Sequence, residues 1–249
     1  MTVRNIFDYL NKLFPCETAC DFDNVGLLVG DYDAKVEKAL ICLDCTPHVL
    51  EKAKSENCQL IITHHPIIFA PLKSLKSGDL RYELIKNNIS VISMHTNMDI
   101  ADMGVTDCLC KALSLENIEP YVASDGFLLR KGKLSSPLST DELAGFIKTA
   151  LGGSVKYVDG GKLIENVLVC SGSGGEFIED VQTSGADALV TAEIKHHQFL
   201  RADELGISAF DAGHFNSEDV VVEPLKNLLQ NKFADITFLT DHFSKIAVV

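Results

Sequence analysis

Residues 39–63, ALICLDCTPHVLEKAKSENCQLIIT, contain the pattern that decides the fold. The apolar run ALICLD at its start and the run QLIIT at its end each have the length and character of a buried strand. Between them, Thr46 can cap a helix whose first turn starts with Pro47, a residue tolerated at that position. A strand, a helix and another strand in succession predict parallel strands joined by a crossover helix.

The same alternation continues on both sides of this stretch. Further runs of strand length are ISVIS, VKYV, NVLVCSG, ALVTA, ISAFDA and ITFLT. Helical patterns separate these runs, including one at GGEFIEDVQTSG (174–185), and the polar stretch RKGKLSSPLST (130–140) predicts a domain boundary. We therefore expect an α/β protein with mostly parallel strands. Its domains are predicted at 1–125, completed by 220–249, and at 126–219.

The composition disfavours several classes of protein. Apolar residues make up 46% of the chain, but no stretch approaches the roughly 20 apolar residues that a membrane span needs. The N-terminus predicts an amphipathic helix and lacks the features of a signal peptide. The net charge is −13, and the basic residues are scattered, which makes nucleic acid and anionic membranes unexpected partners. We expect a cytoplasmic protein.

Histidine and acidic residues follow four of the predicted strands. They are His64 and His65 after LIIT, His95 and Asp99 after SVIS, Glu193, His196 and His197 after ALVTA, and His214 and Glu218 after ISAFDA. In open α/β sheets, ligands bind beyond the carboxyl ends of the strands. These side chains could therefore converge on one crevice.

Imidazole and carboxylate ligands together suit zinc, iron, manganese or cobalt. The spacing of His214 and Glu218 places both on one face of a helical turn. A lone histidine at a strand end is more often only a hydrogen-bonded residue. The adjacent His64 and His65 favour a metal site more strongly, because two protonated imidazoles side by side would repel each other.

Two other motifs have alternative interpretations. Cys42 and Cys45 have the C-x-x-C spacing of redox and zinc sites, but no second pair accompanies them, so a structural role is favoured. The glycine-rich segment at residues 172–175 lies between a predicted strand and a predicted helix, where backbone amides could bind an anion. Loop flexibility explains these glycines almost as well.

Five motifs together resemble a known family. They are DFDNVGLLVG, ITHHP, MHTNMDIADMGVTD, TAEIKHH and DAGHFNSE. In this order they are similar to the GTP cyclohydrolase 1 type 2 homologue family, also called Nif-three-like after NGG-interacting factor three. The resemblance implies the Nif-three-like fold: two α/β domains with mixed, mostly parallel sheets, a metal site at the domain interface, and a toroidal homohexamer. Ala192 stands where glycine is common in the family, a departure that removes no ligand.

The resemblance also implies roles for individual residues. It implies two divalent metal ions per chain, such as zinc, iron or manganese, with the ligands His64, His65, Asp99, His214 and Glu218. Glu193 and the pair His196 and His197 would lie beside the site, where the two histidines would support the ligands. Glu193 and His95 are the candidate catalytic residues for proton transfer, and His95 could instead hold a ligand in place.

The function is open between several classes. The first hypothesis is a metal-dependent hydrolase acting on a nucleotide or another small phosphorylated compound, and the family label implies GTP ring opening. The alternative is a metal-dependent binding or regulatory ring without turnover. A third hypothesis is metal handling. In each case the expected partner is a small molecule or ion rather than a membrane.

Overall fold

The described residues, 1–247, of the computed structural model form two α/β units. Unit 1 comprises Met1–Ala101 and Val222–Phe243, and unit 2 comprises Asp102–Val221 with the described residues after Phe243. Each unit has its own mixed sheet covered by helices, so the predicted α/β class is confirmed. Unit 1 is built from two separate stretches of sequence, with unit 2 inserted between them.

The elements follow the predicted alternation. In the first stretch of unit 1 they are α1 (Val3–Leu13), β1 (Gly26–Val29), β2 (Lys38–Cys42), α2 (Pro47–Ser55), β3 (Leu60–Thr63), α3 (Leu80–Lys86), β4 (Ser90–Ser93) and α4 (Thr96–Ile100). Unit 2 contains α5 (Val105–Ala112), β5 (Glu116–Val122), β6 (Leu128–Leu138), α6 (Thr140–Leu151), β7 (Lys156–Val158), β8 (Ile164–Ser173), α7 (Asp180–Ser184), β9 (Ala188–Ala192), α8 (His196–Leu205), β10 (Ser208–Asp211) and α9 (His214–Glu218). The chain then returns to unit 1 with α10 (Val222–Lys232) and β11 (Thr237–Asp241).

The sheet of unit 1 has the strand order β1-β4-β3-β2-β11. Its strands run parallel except for β1, which is antiparallel to β4. The stretch 39–63 forms β2, α2 and β3 as predicted, and the Thr46 side chain caps α2 by accepting a hydrogen bond from the amide of Val49. β3 and β4 are therefore parallel neighbours whose carboxyl ends lie side by side.

The core of unit 1 explains its continuous apolar strands. Leu40, Ile61 and Val91 come from three adjacent strands, and Leu50 and Leu84 from two helices pack against them, all at most 5% exposed. Strands that are buried on both faces need apolar residues at successive positions rather than at alternate ones. The rigid sheet then fixes the positions at which its strands end.

The sheet of unit 2 has the strand order β5-β6-β8-β9-β10-β7. Its central strands β8, β9 and β10 are parallel, and the outer pairs are antiparallel. The mostly parallel arrangement predicted for both domains is thus found in unit 1, while unit 2 is parallel only at its centre. β9 and β10 end side by side, and the segments after them contain Glu193 and His214.

Residues 130–140 do not form a domain boundary. Most of this polar stretch lies in β6, which pairs with β5 on one side and β8 on the other. Leu129 and Leu134 are buried in two different core clusters, while Lys133 and Ser135 are exposed, so burial is largely lost in the second half of the strand. The exposed residues of this half are mostly polar, which is why the pattern resembled a linker.

The change from unit 1 to unit 2 occurs at Ala101–Asp102, whereas the sequence predicted it after residue 125. The intervening segment belongs to unit 2 because β5 pairs with β6 and α5 packs against β8. The predicted helix at 174–185 is also interrupted: a 3₁₀ turn at Gly175–Ile178 precedes the short α7. Among the described helices, none is long and apolar enough to cross a bilayer.

Candidate metal centre

Two parallel strands place the first group of candidate ligands. Thr63 at the end of β3 is in register with Ser93 at the end of β4, and their hydroxyls are 2.8 Å apart. His64 follows Thr63 directly, and His95 lies two residues after Ser93. The two imidazoles therefore leave the same edge of the sheet, as expected for the carboxyl ends of parallel strands.

The rings of His64, His65 and His95 form a compact cluster. Their centroids are 4.9 Å apart for His64 and His65, 5.1 Å for His64 and His95, and 5.5 Å for His65 and His95. One ring nitrogen from each residue lies within 4.8 Å of the others. This distance suits three nitrogens around a divalent ion, whereas three protonated imidazoles so close together would repel one another.

Each ring of this histidine cluster uses Nδ1 in a hydrogen bond outside the cluster. Nδ1 of His64 donates to the carbonyl of Met94 at 2.9 Å, and Nδ1 of His65 donates to Oδ1 of Asp44 at 2.8 Å. Nδ1 of His95 donates to Oδ1 of Asp23 at 2.8 Å. A carbonyl or carboxylate oxygen only accepts, so Nδ1 carries the hydrogen and Nε2 is the nitrogen that would bind metal.

Asp99 joins this group from the helix that follows His95. It lies on α4, is 6% exposed, and has Oδ1 at 3.6 Å from Nε2 of His64. His64 itself is 1% exposed. A carboxylate next to an imidazole nitrogen in a buried position adds an oxygen donor to the nitrogen donors of the cluster.

Asp23 belongs to the site although it was not among the candidate residues predicted from the sequence. Its Oδ2 accepts hydrogen bonds from the amide of Thr96 at 3.0 Å and from the Thr96 hydroxyl at 2.6 Å. Burial raises the pKa of Asp23, but the hydrogen bonds from His95 and Thr96 outweigh it and hold the pKa well below its usual range. Asp23 therefore stays ionised and orients His95. The motif DFDNVG was its signal in the sequence.

Unit 2 contains the second group of candidate ligands. His214 and Glu218 begin and end α9, and Nε2 of His214 lies 3.0 Å from Oε2 of Glu218. Glu218 is 1% exposed. The four-residue spacing thus places both side chains on one face, as the sequence indicated. This pair combines a nitrogen donor and a buried carboxylate, the same chemistry as in unit 1.

Glu193 lies beside this pair because β9 and β10 end side by side. Its Oε2 is 3.3 Å from Nδ1 of His214, and its side chain is 60% exposed. The backbone φ of Glu193 is +54°, in the left-handed region that costs a residue with a Cβ atom about 1–2 kcal/mol. The geometry is compatible with two roles: proton transfer, or orientation of the His214 ring.

His196 and His197 lie apart from these groups. Both are exposed at the start of α8, and neither ring belongs to a cluster of possible metal donors among the described residues. The structure brings together His64, His65, His95 and Asp99 in unit 1, and His214, Glu218 and Glu193 in unit 2. The role of His196 and His197 beside the site therefore stays a prediction.

The glycines at 172–175 are explained by close packing. A Cβ atom on Gly174 would lie 2.5 Å from Oγ1 of Thr191, and one on Gly175 would clash with Oε1 of Gln198. Gly172 has a φ of +66°, and a Cβ atom there would lie 3.0 Å from Oε1 of Glu218. These contacts account for the glycines without an anion, and they place Gly172 against a candidate ligand.

Burial disfavours a thiolate in the C-x-x-C motif. Cys42 is buried in β2, and burial together with the neighbouring Asp44 raises the pKa of Cys45 to about 12. Both cysteines are reduced. Since metals bind the thiolate rather than the thiol, these residues behave as apolar packing groups. The donor set is accordingly imidazole and carboxylate, which fits zinc, iron or manganese.

Several known proteins are similar to this chain in sequence and in fold. A protein called GTP cyclohydrolase 1 type 2 homolog from Clostridium perfringens is 30% identical over 98% of this chain and 98% of its own length. The GTP cyclohydrolase 1 type 2 of Helicobacter pylori is 35% identical over 87% of this chain and 86% of its own. The crystal structure of the Staphylococcus aureus hypothetical protein SA1388 has a TM-score of 0.93 and 28% identity, covering 100% of this chain and 99% of that one.

The family model described as Duf34/NIF3 (NGG1p interacting factor 3) matches residues 1–247, which include every candidate ligand. This match agrees with the motifs that suggested the family from the sequence. The chain belongs to the Duf34/NIF3 family.

Proposed function

We propose that this chain binds two divalent metal ions and acts as a metal-dependent hydrolase on a nucleotide or another small phosphorylated compound. The proposed ligands are His64, His65 and Asp99 from unit 1 and His214 and Glu218 from unit 2. The observation that carries the proposal is the hydrogen bonding of the histidine cluster. Nδ1 of His64 and Nδ1 of His65 are each held by an oxygen acceptor, so the Nε2 atoms of these two ligands are presented in the form that a metal needs.

The chemistry of the donors supports a catalytic rather than a purely structural centre. Structural zinc sites commonly use cysteine thiolates in a closed tetrahedron, and none of the proposed ligands is a cysteine. When bound, two divalent ions would supply a Lewis acid and lower the pKa of water. The buried carboxylates of Asp99 and Glu218 would balance part of the added positive charge.

Two residues of the chain are candidates for proton transfer in this proposal. Glu193 has an exposed carboxylate next to His214, where it could accept a proton from a substrate or solvent molecule. His95 shares the cluster of His64 and His65, and ionised Asp23 orients its ring. The name of the Helicobacter pylori relative supports a nucleotide as the substrate class. The homohexamer implied by the resemblance belongs to the same proposal and is tested by the mass in solution.

Elemental analysis tests the metal sites. Wild type should contain about two divalent ions per chain, and the double variant His64→Ala, His65→Ala should lose most of them. The matched control is His48→Ala, His242→Ala, which removes two exposed histidines of unit 1 outside the cluster. Control and wild type should have the same metal content. A metal-free wild type, even after reloading, would contradict the proposal.

Turnover is tested separately, on protein loaded with the metal found in the wild type. Release of phosphate or ring opening is measured with a panel of nucleotides and phosphoesters, for wild type and for Asp99→Asn. The variant should be folded and inactive, because it keeps the shape of Asp99 and loses its charge. Metal-dependent binding of a compound without turnover in the whole panel would favour the binding ring over the hydrolase.

A further inference from the structure

Unit 1 exposes two phenylalanines that touch each other. Phe22 is 66% exposed and Phe69 is 54% exposed, and their ring centroids are 6.3 Å apart with a tilt of 54°. Single exposed apolar residues are common on protein surfaces, but adjacent large ones more often mark a place where a ligand or partner binds. We call Phe22 and Phe69 the aromatic pair.

The backbone next to Phe22 is firmly held. Asp23 follows it directly and accepts four hydrogen bonds, from the ring of His95, from the amide and hydroxyl of Thr96 and from the amide of Asn24. The side chain of Asp23 is fully buried. Phe22 is therefore exposed directly beside an anchored residue.

A hydrogen bond joins the two segments that contain the aromatic pair. Nδ2 of Asn24 donates to the carbonyl of Ile68 at 2.6 Å, and Ile68 immediately precedes Phe69. This bond connects the two segments close to the rings: Asn24 lies two residues after Phe22, and Ile68 lies one residue before Phe69. The aromatic pair is preorganised, and a ligand would pay little entropy to find it in place.

The aromatic pair borders the histidine cluster. The centroid of Phe69 lies 6.3 Å from that of His95, with the planes at 82°. His95 in turn lies 5.1 Å from His64 and 5.5 Å from His65. A molecule whose charged group reaches the metal donors of unit 1 would have its remaining atoms next to Phe69 and Phe22.

We propose that the aromatic pair binds a planar heteroaromatic ring of the substrate. This inference rests on the proposed function and adds the residues that recognise the ring. Aromatic side chains bind bases by stacking on their faces, and the tilt within the pair lets one phenylalanine stack while the other contacts the ring edge. The favoured ligand therefore combines a planar ring with an anionic group, as a nucleotide does.

The test compares ligands with and without the ring. Binding of the nucleoside monophosphates GMP, AMP, UMP and CMP and of ribose 5-phosphate is measured by calorimetry on metal-loaded protein. The proteins are wild type, the double variant Phe22→Ala, Phe69→Ala, and the double variant Phe22→Tyr, Phe69→Tyr, which keeps the stacking faces. The control is Leu163→Ala, which removes a side chain of unit 2 that is 65% exposed.

We expect the alanine variant to bind its best nucleotide about tenfold more weakly or worse. Its affinity for ribose 5-phosphate should not change, and the tyrosine and leucine variants should resemble wild type. The inference is overturned if no nucleotide binds metal-loaded wild type, if the alanine variant keeps its nucleotide affinity, or if both ligand types weaken equally. It is also overturned if the alanine variant changes its mass in solution, because the pair would then cover a second copy of the chain.

The same samples separate this inference from the proposed metal centre. Metal content is measured for every variant, and the aromatic substitutions should leave it at the wild-type level. Loss of nucleotide affinity with full metal content supports the aromatic pair. A wild type that contains no metal contradicts the proposed function whatever the aromatic variants do.

Discussion

Nδ1 of His95 donates a hydrogen bond to Oδ1 of Asp23 at 2.8 Å, although 72 residues separate them in sequence. The acceptor is ionised and is held by Thr96 through its other oxygen. The pair fixes which nitrogen of His95 carries hydrogen and how the ring is turned. Asp44 and Met94 do the same for the other two rings of the cluster.

Substitution Asp23→Asn should lower the turnover of metal-loaded protein by about 10–100-fold. The amide can rotate and donate to Nδ1 of His95, which would move the ring hydrogen to Nε2. Turnover is measured on samples whose metal content has been checked by elemental analysis. The control is Asp33→Asn, which changes a carboxylate of the same unit that is 79% exposed. Equal turnover of the two variants would mean that Asp23 does not orient His95.

Substitution Gly172→Ala should lower both stability and metal content. The left-handed φ costs about 1–2 kcal/mol once a Cβ atom is present, and that atom would press on the buried Glu218. Gly185→Ala is the matched control, because its φ of +71° imposes a similar strain while the space around it is open. Urea unfolding should show similar losses of stability, whereas elemental analysis should show a loss of metal only for Gly172→Ala. A wild-type metal content in Gly172→Ala would show that the added Cβ atom does not impair metal binding through Glu218.

We predict that the backbone conformation of Glu193 lowers the stability of the fold, whereas its carboxylate is needed for turnover. Glu193→Gly and Glu193→Ala both remove the carboxylate beside His214, but only glycine relieves the φ of +54°. Glu193→Gly should therefore be more stable than Glu193→Ala by about 1 kcal/mol in urea unfolding. Both variants should lose turnover to the same extent. A turnover rate that differs between them would point to the backbone rather than to the carboxylate.

Asp241 should stabilise unit 1 only above acidic pH. Burial raises the pKa of Asp241, but hydrogen bonds from Lys52 and from the amide of Phe243 outweigh it and hold the pKa below its ordinary value. A carboxylate whose pKa is lower in the folded than in the unfolded protein stabilises the fold above the unfolded pKa of about 3.9. That contribution disappears as the pH falls through the folded pKa.

Asp241→Asn should accordingly destabilise the protein at pH 7 by about 1.5–3 kcal/mol, the usual contribution of a hydrogen bond to a charged group. The difference from wild type should shrink as the pH falls below the unfolded pKa of about 3.9. Urea-unfolding midpoints across this range check the prediction, with the exposed Asp33→Asn as control. A deficit that stays constant with pH would show that the charge of Asp241 does not matter.

The sequence predicted the candidate ligands best where histidine or acidic residues directly follow a predicted strand. The apolar runs of 39–63 predicted parallel strands, and the placement of His64, His65 and His95 beyond such strands predicted their convergence. The spacing of His214 and Glu218 predicted their shared helix face. These inferences succeeded because period and spacing are local properties that the fold preserves.

Other features depended on distant contacts. β6 looked like a linker because the residues of its second half are mostly exposed and polar, and only its pairing with β5 and β8 identifies it as a strand within the sheet. Asp23 and Asp44 reach the histidines across long sequence separations that no local pattern encodes. The strain at Glu193 was equally hidden, since a glutamate in the left-handed region has no sequence signature.

The pairing of β11 with β2 has a consequence for how the protein is made. When the first hundred residues have left the ribosome, one edge of β2 still lacks its neighbour β11. All of unit 2 must be translated before β11 emerges. An open strand edge is a template for incorrect pairing, so the nascent chain is vulnerable throughout the synthesis of unit 2. Completion of the sheet that positions the histidines is thus delayed until unit 2 has been translated, and a message interrupted before β11 yields a polypeptide without its closing strand.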